Sequence, residues 1–229
     1  MERRALIIAL TAVFGFLFSS SAFPADLTLE EILTRMDRAG ESLRSLSADI
    51  EQSKWTDILQ EFDRGQSGKF LFLKEGGEVY LRRDIHSPSV DSLVIRDGQV
   101  TYYQPGIKQA QRYQLGRHRD KAEFLLLGFG SDKEALKEAY DIRLIGREKV
   151  GTQDVYRLEL APKSGQVAAY FPLIVLWVDT QQWLPIQQQL VEHTQDYLLI
   201  RFRGIQLNPR ISKSDFDLKL PRDVRIIAN

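Results

Sequence analysis

The chain has 229 residues, 43% of them hydrophobic, and its 31 Lys and Arg balance its 31 Asp and Glu. Zero formal net charge removes the broad attraction that draws basic proteins to nucleic acid, so no nucleic-acid partner is expected. No cysteine is present, so no disulfide staples the fold and an apolar core must stabilise it.

Residues 1–22 read as a secretory signal peptide. Arg3 and Arg4 form a basic start, Ala5 to Phe18 an apolar run, and Ser20-Ser21-Ala22 a small-residue cleavage site. The run is too short for a transmembrane anchor, which takes about 20 apolar residues. Residues 23–229 are then one domain, with no cysteine after the signal to carry a lipid. A soluble, monomeric protein of the bacterial periplasm or the exterior is expected.

Thr28-Leu29-Glu30-Glu31 is a capping box, so a helix starts here. Leu29, Ile32, Leu33, Met36, Leu43 and Leu46 follow at three- and four-residue spacing and make one apolar stripe. The stripe packs the helix on a sheet, and its part near Met36 and Leu43 is expected to face a ligand cavity too. Gly40 weakens the middle of the helix. Ser47 to Trp55 alternates as a first strand.

From Gly68 to Gly116 the short runs FLFL, VYL, LVI and VTYY recur between turn signals. Those signals are Gly76-Gly77, His86-Ser87-Pro88, Asp97-Gly98 and Gln104-Pro105-Gly106. Four or five antiparallel strands in a meander are predicted. Ala122 to Phe129 (AEFLLLGF) is an apolar run that needs burial, either as a core segment or as a short lid helix. Ser131-Asp132-Lys133-Glu134 is a second capping box, opening a helix to about Ala139.

Strands then return at Tyr140–Glu148, Asp154–Ala161, Phe171–Asp179, Pro185–His193 and Tyr197–Leu207, with a short one at Val224–Ile227. Eleven or twelve strands and two or three helices make a mainly β (α+β) chain. Antiparallel strands on this scale curl around a core or a cavity, and an unclosed barrel needs helices over its mouth.

No catalytic residue, metal or cofactor is expected. His86, His118 and His193 lie far apart in or beside turns, without the close ligand spacing of a zinc site. No G-x-S-x-G elbow, P-loop or G-x-G-x-x-G occurs. Glu192 and Asp196 flank a hairpin, where carboxylates are ordinary. Lys108, Arg112, Arg117, Arg119 and Lys121 form a basic stretch, read as a solvated loop or as a surface for anionic head groups or an acidic partner.

The order of elements carries a resemblance. An apolar helix ending in LRSLSADIEQ precedes GKFLFLK, a strand into Asp97-Gly98, and an aromatic strand to Tyr103-Gln104-Pro105. EFLLLGFGS, YDIRLIG, YRLELAPK and LWVDTQQWLPIQQQLVE follow. In this order the chain resembles the periplasmic outer-membrane lipoprotein carrier proteins (LolA-like) along nearly its whole mature length.

The resemblance implies an unclosed antiparallel β-barrel of about 11 strands, with helices covering its mouth. It also implies an apolar cavity that takes the acyl chains of lipoproteins from an inner-membrane release transporter and delivers them to an outer-membrane receptor. Positions matching the family's cavity and mouth are Met36, Leu43, Phe72, Val79, Leu81 and Tyr102, and the lid run Phe124, Leu125 and Leu126. Glu75 stands where an arginine helps hold the closed lid, and Tyr80 where many relatives carry an arginine. Two other expectations stay open: a carrier or sensor of another lipid on this fold, and an assembly or envelope-stress protein that binds polypeptide.

Overall fold

Asp97 and Gly98 both take positive φ, 51° and 71°, as a two-residue hairpin turn requires. They join strand β5 (Asp91–Arg96) to β6 (Gln99–Gln104). Gly76 and Gly77 do the same between β3 (Gln66–Glu75) and β4 (Glu78–Ser87). With β7 (Gln109–Gln114) these strands form the expected antiparallel meander.

The computed structural model describes residues 26–114, 127–130 and 132–228. Residues 1–22, read from sequence as a signal peptide, and Phe124, Leu125 and Leu126 lie outside the described residues. Helix α1 (Leu29–Ser42) has the capping box read from sequence: Glu31 N donates to Thr28 Oγ1 and Thr28 N to Glu31 Oε2. Strand β1 (Ser45–Thr56) follows, with a two-residue β2 (Glu61–Phe62) folded back on it.

The second half holds α2 (Lys133–Ala139), β8 (Tyr140–Val150), β9 (Gln153–Pro162) and α3 (Gly165–Ala168). After these come β10 (Leu173–Asp179), β11 (Pro185–Val191), β12 (Tyr197–Leu207) and β13 (Arg225–Ala228). Two local details differ from the sequence reading. The N-cap of α2 is Asp132, whose side chain accepts from Ala135 N, since either of two adjacent residues can cap. Phe171 bonds back to Val167, which delays β10 to Leu173.

One sheet runs β13-β7-β6-β5-β4-β3-β1-β12-β11-β10-β9-β8, with β2 beside β1, thirteen strands among the described residues. It is curved and unclosed, with β8 and β13 as its edges. Every ladder is antiparallel but one: β13 pairs β7 in parallel, because the C-terminal arm returns along the meander. Arg143, Arg147, Glu148 and Lys149 load the β8 edge with charge, which discourages further strand pairing.

Alternation splits the sheet into two faces. Ala48, Ile50, Phe70, Phe72, Leu81, Ile95, Leu158, Leu176 and Phe202 all enter the main core, and α1 lays Ile32, Leu33 and Met36 on them. Each large apolar side chain among these, fully buried, contributes about 1.5–3 kcal/mol. The opposite face carries two smaller clusters. One holds Val155, Val175, Trp177, Ile186 and Leu199. The other joins Leu73, Tyr80 and Val94 to Phe216 of the C-terminal arm.

Candidate functional site

The helix-covered face brings most of the predicted site residues together. Met36, Leu43, Phe72 and Leu81 are buried in a single cluster, and Val79 packs half-buried against it. Tyr102 stands opposite Leu93 and Gln111 in the sheet, and Leu93 also packs on this cluster. It is therefore on the same face. Burial, and then the Asp91 carboxylate, hold its phenol above the ordinary value.

The described end of the apolar run lies in the same cluster. Leu127 and Phe129 are buried, and the Phe129 ring centroid is 4.9 Å from that of Phe202 and 5.8 Å from that of Phe70. Gln188 Nε2 donates to the Leu127 carbonyl at 2.9 Å. Gly128 and Gly130 take φ of 83° and 77°, conformations that favour glycine. A Cβ on Gly128 would run into the ring of Pro185, and one on Gly40 would lie 2.8 Å from Gly130 Cα. Gly40, read from sequence as a weak point of α1, is where the backbone of residues 127–130 presses against the helix.

α1 is also held from its exposed side. Glu30 accepts from Lys133 and Lys137 of α2, Asp37 accepts from Lys133 N, and the Arg35 guanidinium sits 4.7 Å from the Trp183 ring.

Farther along the strands this face turns polar. Arg83, two residues past Leu81, pairs with Asp91 and donates to Gln52 Oε1 at 3.1 Å. Gln52 bonds Gln66, and Gln66 donates to Ser89 at 2.8 Å. Asp91 and Gln52 are buried. Sequence reasoning missed this network. Its one signal was an arginine in the apolar phase of β4, since Leu81 and Ile85 flank Arg83 at two-residue spacing.

The two departures from the carriers' pattern face elsewhere. Glu75 pairs with Lys213 at 3.2 Å, and Tyr80 is buried on the opposite face with its ring centroid 5.7 Å from that of Phe216. Both therefore engage the C-terminal arm. Glu192 and Asp196 lie 2.9 and 3.9 Å from Lys54, and Asp196 also accepts from Asp57 N. Among the described residues no three His, Asp or Glu side chains gather as a metal site.

A family model described as uncharacterized protein matches residues 98–218, more than half of the chain. This chain belongs to that family. No curated protein matches it. Among solved structures it is similar to an uncharacterized conserved protein from Thermus thermophilus, at 12% identity and TM-score 0.57. That likeness covers 87% of this chain and 98% of the other. It is also similar to MucB, at 15% identity and TM-score 0.52, over 86% of this chain and 64% of MucB. A LolA superfamily protein from Nitrosomonas europaea matches at 13% identity and TM-score 0.41, over 84% of this chain and 98% of that one. At such identities the likeness is one of fold, and the first two carry it.

Proposed function

We propose that the chain is a soluble periplasmic carrier that holds the acyl chains of lipoproteins and shuttles them from the inner to the outer membrane. The observation that carries this reading is one continuous apolar face covered by α1 and by the glycine-flanked segment Leu127–Gly130. Acyl chains replace that cover. Each methylene buried contributes about 0.8 kcal/mol, so two or three chains could offset their loss from a bilayer. When no cargo is bound, the cover keeps the face from water.

In this reading Met36, Leu43, Phe72, Val79, Leu81 and Tyr102 touch the chains, and Phe124, Leu125 and Leu126 complete the cover. Residues 1–22 direct export, and residues 23–229 act as one domain. The partners are an inner-membrane release transporter and an outer-membrane receptor. No catalytic residue, metal or cofactor is assigned.

A second reading is a carrier or sensor of another lipid. The polar end of the face favours it, since Arg83 there leaves its buried Nε without a partner among the described residues, a donor that a lipid head group can take. Mass spectrometry of lipid that co-purifies from the periplasm tests both. A di- or triacylated lipoprotein supports the first reading, and a whole phospholipid or glycolipid the second. A protein that never takes up lipid contradicts both. It would shift attention to polypeptide binding at the exposed tip, where Ile58 and Leu59 are 89% and 62% exposed beside the rings of Trp55 and Phe62.

A further inference from the structure

The C-terminal arm crosses the face of the meander opposite α1. Phe216 is buried against Leu73, Tyr80 and Val94, and Arg82 Nη1 donates to the carbonyls of Asp215 and Asp217 at 2.9 and 3.3 Å. Between arm and sheet lies a partly open cavity of about 270 Å³. Arg96, Thr101 and Arg112 line it from the sheet, and Phe216, Asp217 and Leu218 from the arm.

Arg112 belongs to the basic stretch singled out in the sequence, and the carrier reading leaves it without a role. Its Nε is buried, and among the described residues none of its guanidinium nitrogens has a hydrogen-bond or ion-pair partner. Arg83 and Arg157 also leave Nε without a partner, but their other nitrogens bind Asp91 and Glu159. Lys108, from the same stretch, pairs with Asp223 at 2.6 Å. Arg112 thus stands out as a guanidinium turned into a cavity with no anion on it among the described residues.

The rest of the lining narrows the ligand. Arg96 already faces two carboxylates, Asp97 at 3.0 Å and Asp217. Together these three groups carry one net negative charge, which opposes a doubly charged phosphate. A single carboxylate opposite Arg112 balances its charge, and its two oxygens match the planar fork of the guanidinium. Val94, Phe216 and Leu218 offer apolar surface to a short tail. The volume falls just below the range for ligand pockets of drug-sized molecules, which begins at about 300 Å³, so the ligand is small.

We propose that this cavity is a second binding site, separate from the helix-covered face, for a small monocarboxylate held by Arg112. The bound ligand lies between sheet and arm, so its binding tightens the arm on the meander.

The test uses the whole mature chain and butanoate, with butanol and inorganic phosphate as comparisons. Nitrogen–proton NMR follows the Arg112 Nε–Hε signal, assigned by its loss in Arg112→Lys. The expected result is a saturable shift with butanoate, little response to butanol or phosphate, and slower hydrogen exchange over residues 213–220. Arg112→Met, read like the wild type by the backbone amide shifts of residues 213–220, weakens butanoate binding by about tenfold or more. Thr101→Met keeps the arginine and fills the cavity, and it also abolishes the response. Both variants are checked for folding by circular dichroism. Equal butanoate binding in Arg112→Met and wild type overturns the proposal. So does a response to phosphate without one to butanoate, or no saturable response in the wild type.

Discussion

Gln188 Nε2 donates to the carbonyl oxygen of Leu127 across 2.9 Å, and the bond is buried. Leu127 lies outside any strand ladder, and among the described residues this side chain is the partner its carbonyl has. The bond ties β11 to the segment that covers the apolar face. Gln188→Leu would leave the carbonyl buried and unpaired at a cost of about 1–3 kcal/mol. The melting temperature is expected to fall by about 2–4 °C for each kcal/mol lost in a chain of this size. A fluorescent acyl probe should also enter faster, since the cover is held less tightly. Thermal melts and stopped-flow uptake read the two effects.

Gly40→Ala separates helix propensity from packing. Alanine favours an exposed helix interior over glycine by about 1 kcal/mol. Here its Cβ would lie 2.8 Å from Gly130 Cα, a backbone atom that cannot swing aside. Overpacking of this kind costs about 1–3 kcal/mol. The variant is therefore expected to be less stable in urea denaturation than the wild type, contrary to the helix scale.

The tie between α1 and α2 has a pH dependence. Hydrogen bonds from Lys133, and then from Lys137, hold the Glu30 carboxyl below its ordinary 4.5. A carboxyl whose pKa is lowered by folding adds stability above its unfolded value, and that stability is lost as pH falls through the folded value. The gap in melting temperature between wild type and Glu30→Gln should be full above pH 4.5 and close below it. A gap unchanged down to acid pH would remove Glu30 from the tie.

Much of the architecture was legible because its determinants are local. Gly76-Gly77 and Asp97-Gly98 set the hairpins, and Thr28 with Glu31 sets the start of α1. Two-residue alternation put Phe72 and Leu81 on one face, and helical spacing put Met36 on the face of α1 that covers them. What stayed hidden depends on tertiary register. The parallel pairing of β13 needs the arm to travel back to β7. Arg83 reaches Asp91 and Gln52 from positions 8 and 31 residues away. The fit of Gly40 to Gly130 joins two segments that share no local pattern. Asp132 rather than Ser131 caps α2, since adjacent residues of similar chemistry give composition nothing to choose by.

The central claim is that the helix-covered face opens to take acyl chains, and a fluorescent diacylated peptide titrated against three proteins tests it most directly. The wild type is predicted to bind the peptide one-to-one and saturably. Val79 is half-buried at the margin of the cluster, so Val79→Glu should fold, melt near the wild-type temperature and fail to bind. Leu81 is fully buried, and Leu81→Glu should unfold, since a buried unpaired charge is severely destabilising. A folded wild type without saturable binding, or a folded Val79→Glu that binds as well as the wild type, would contradict the account.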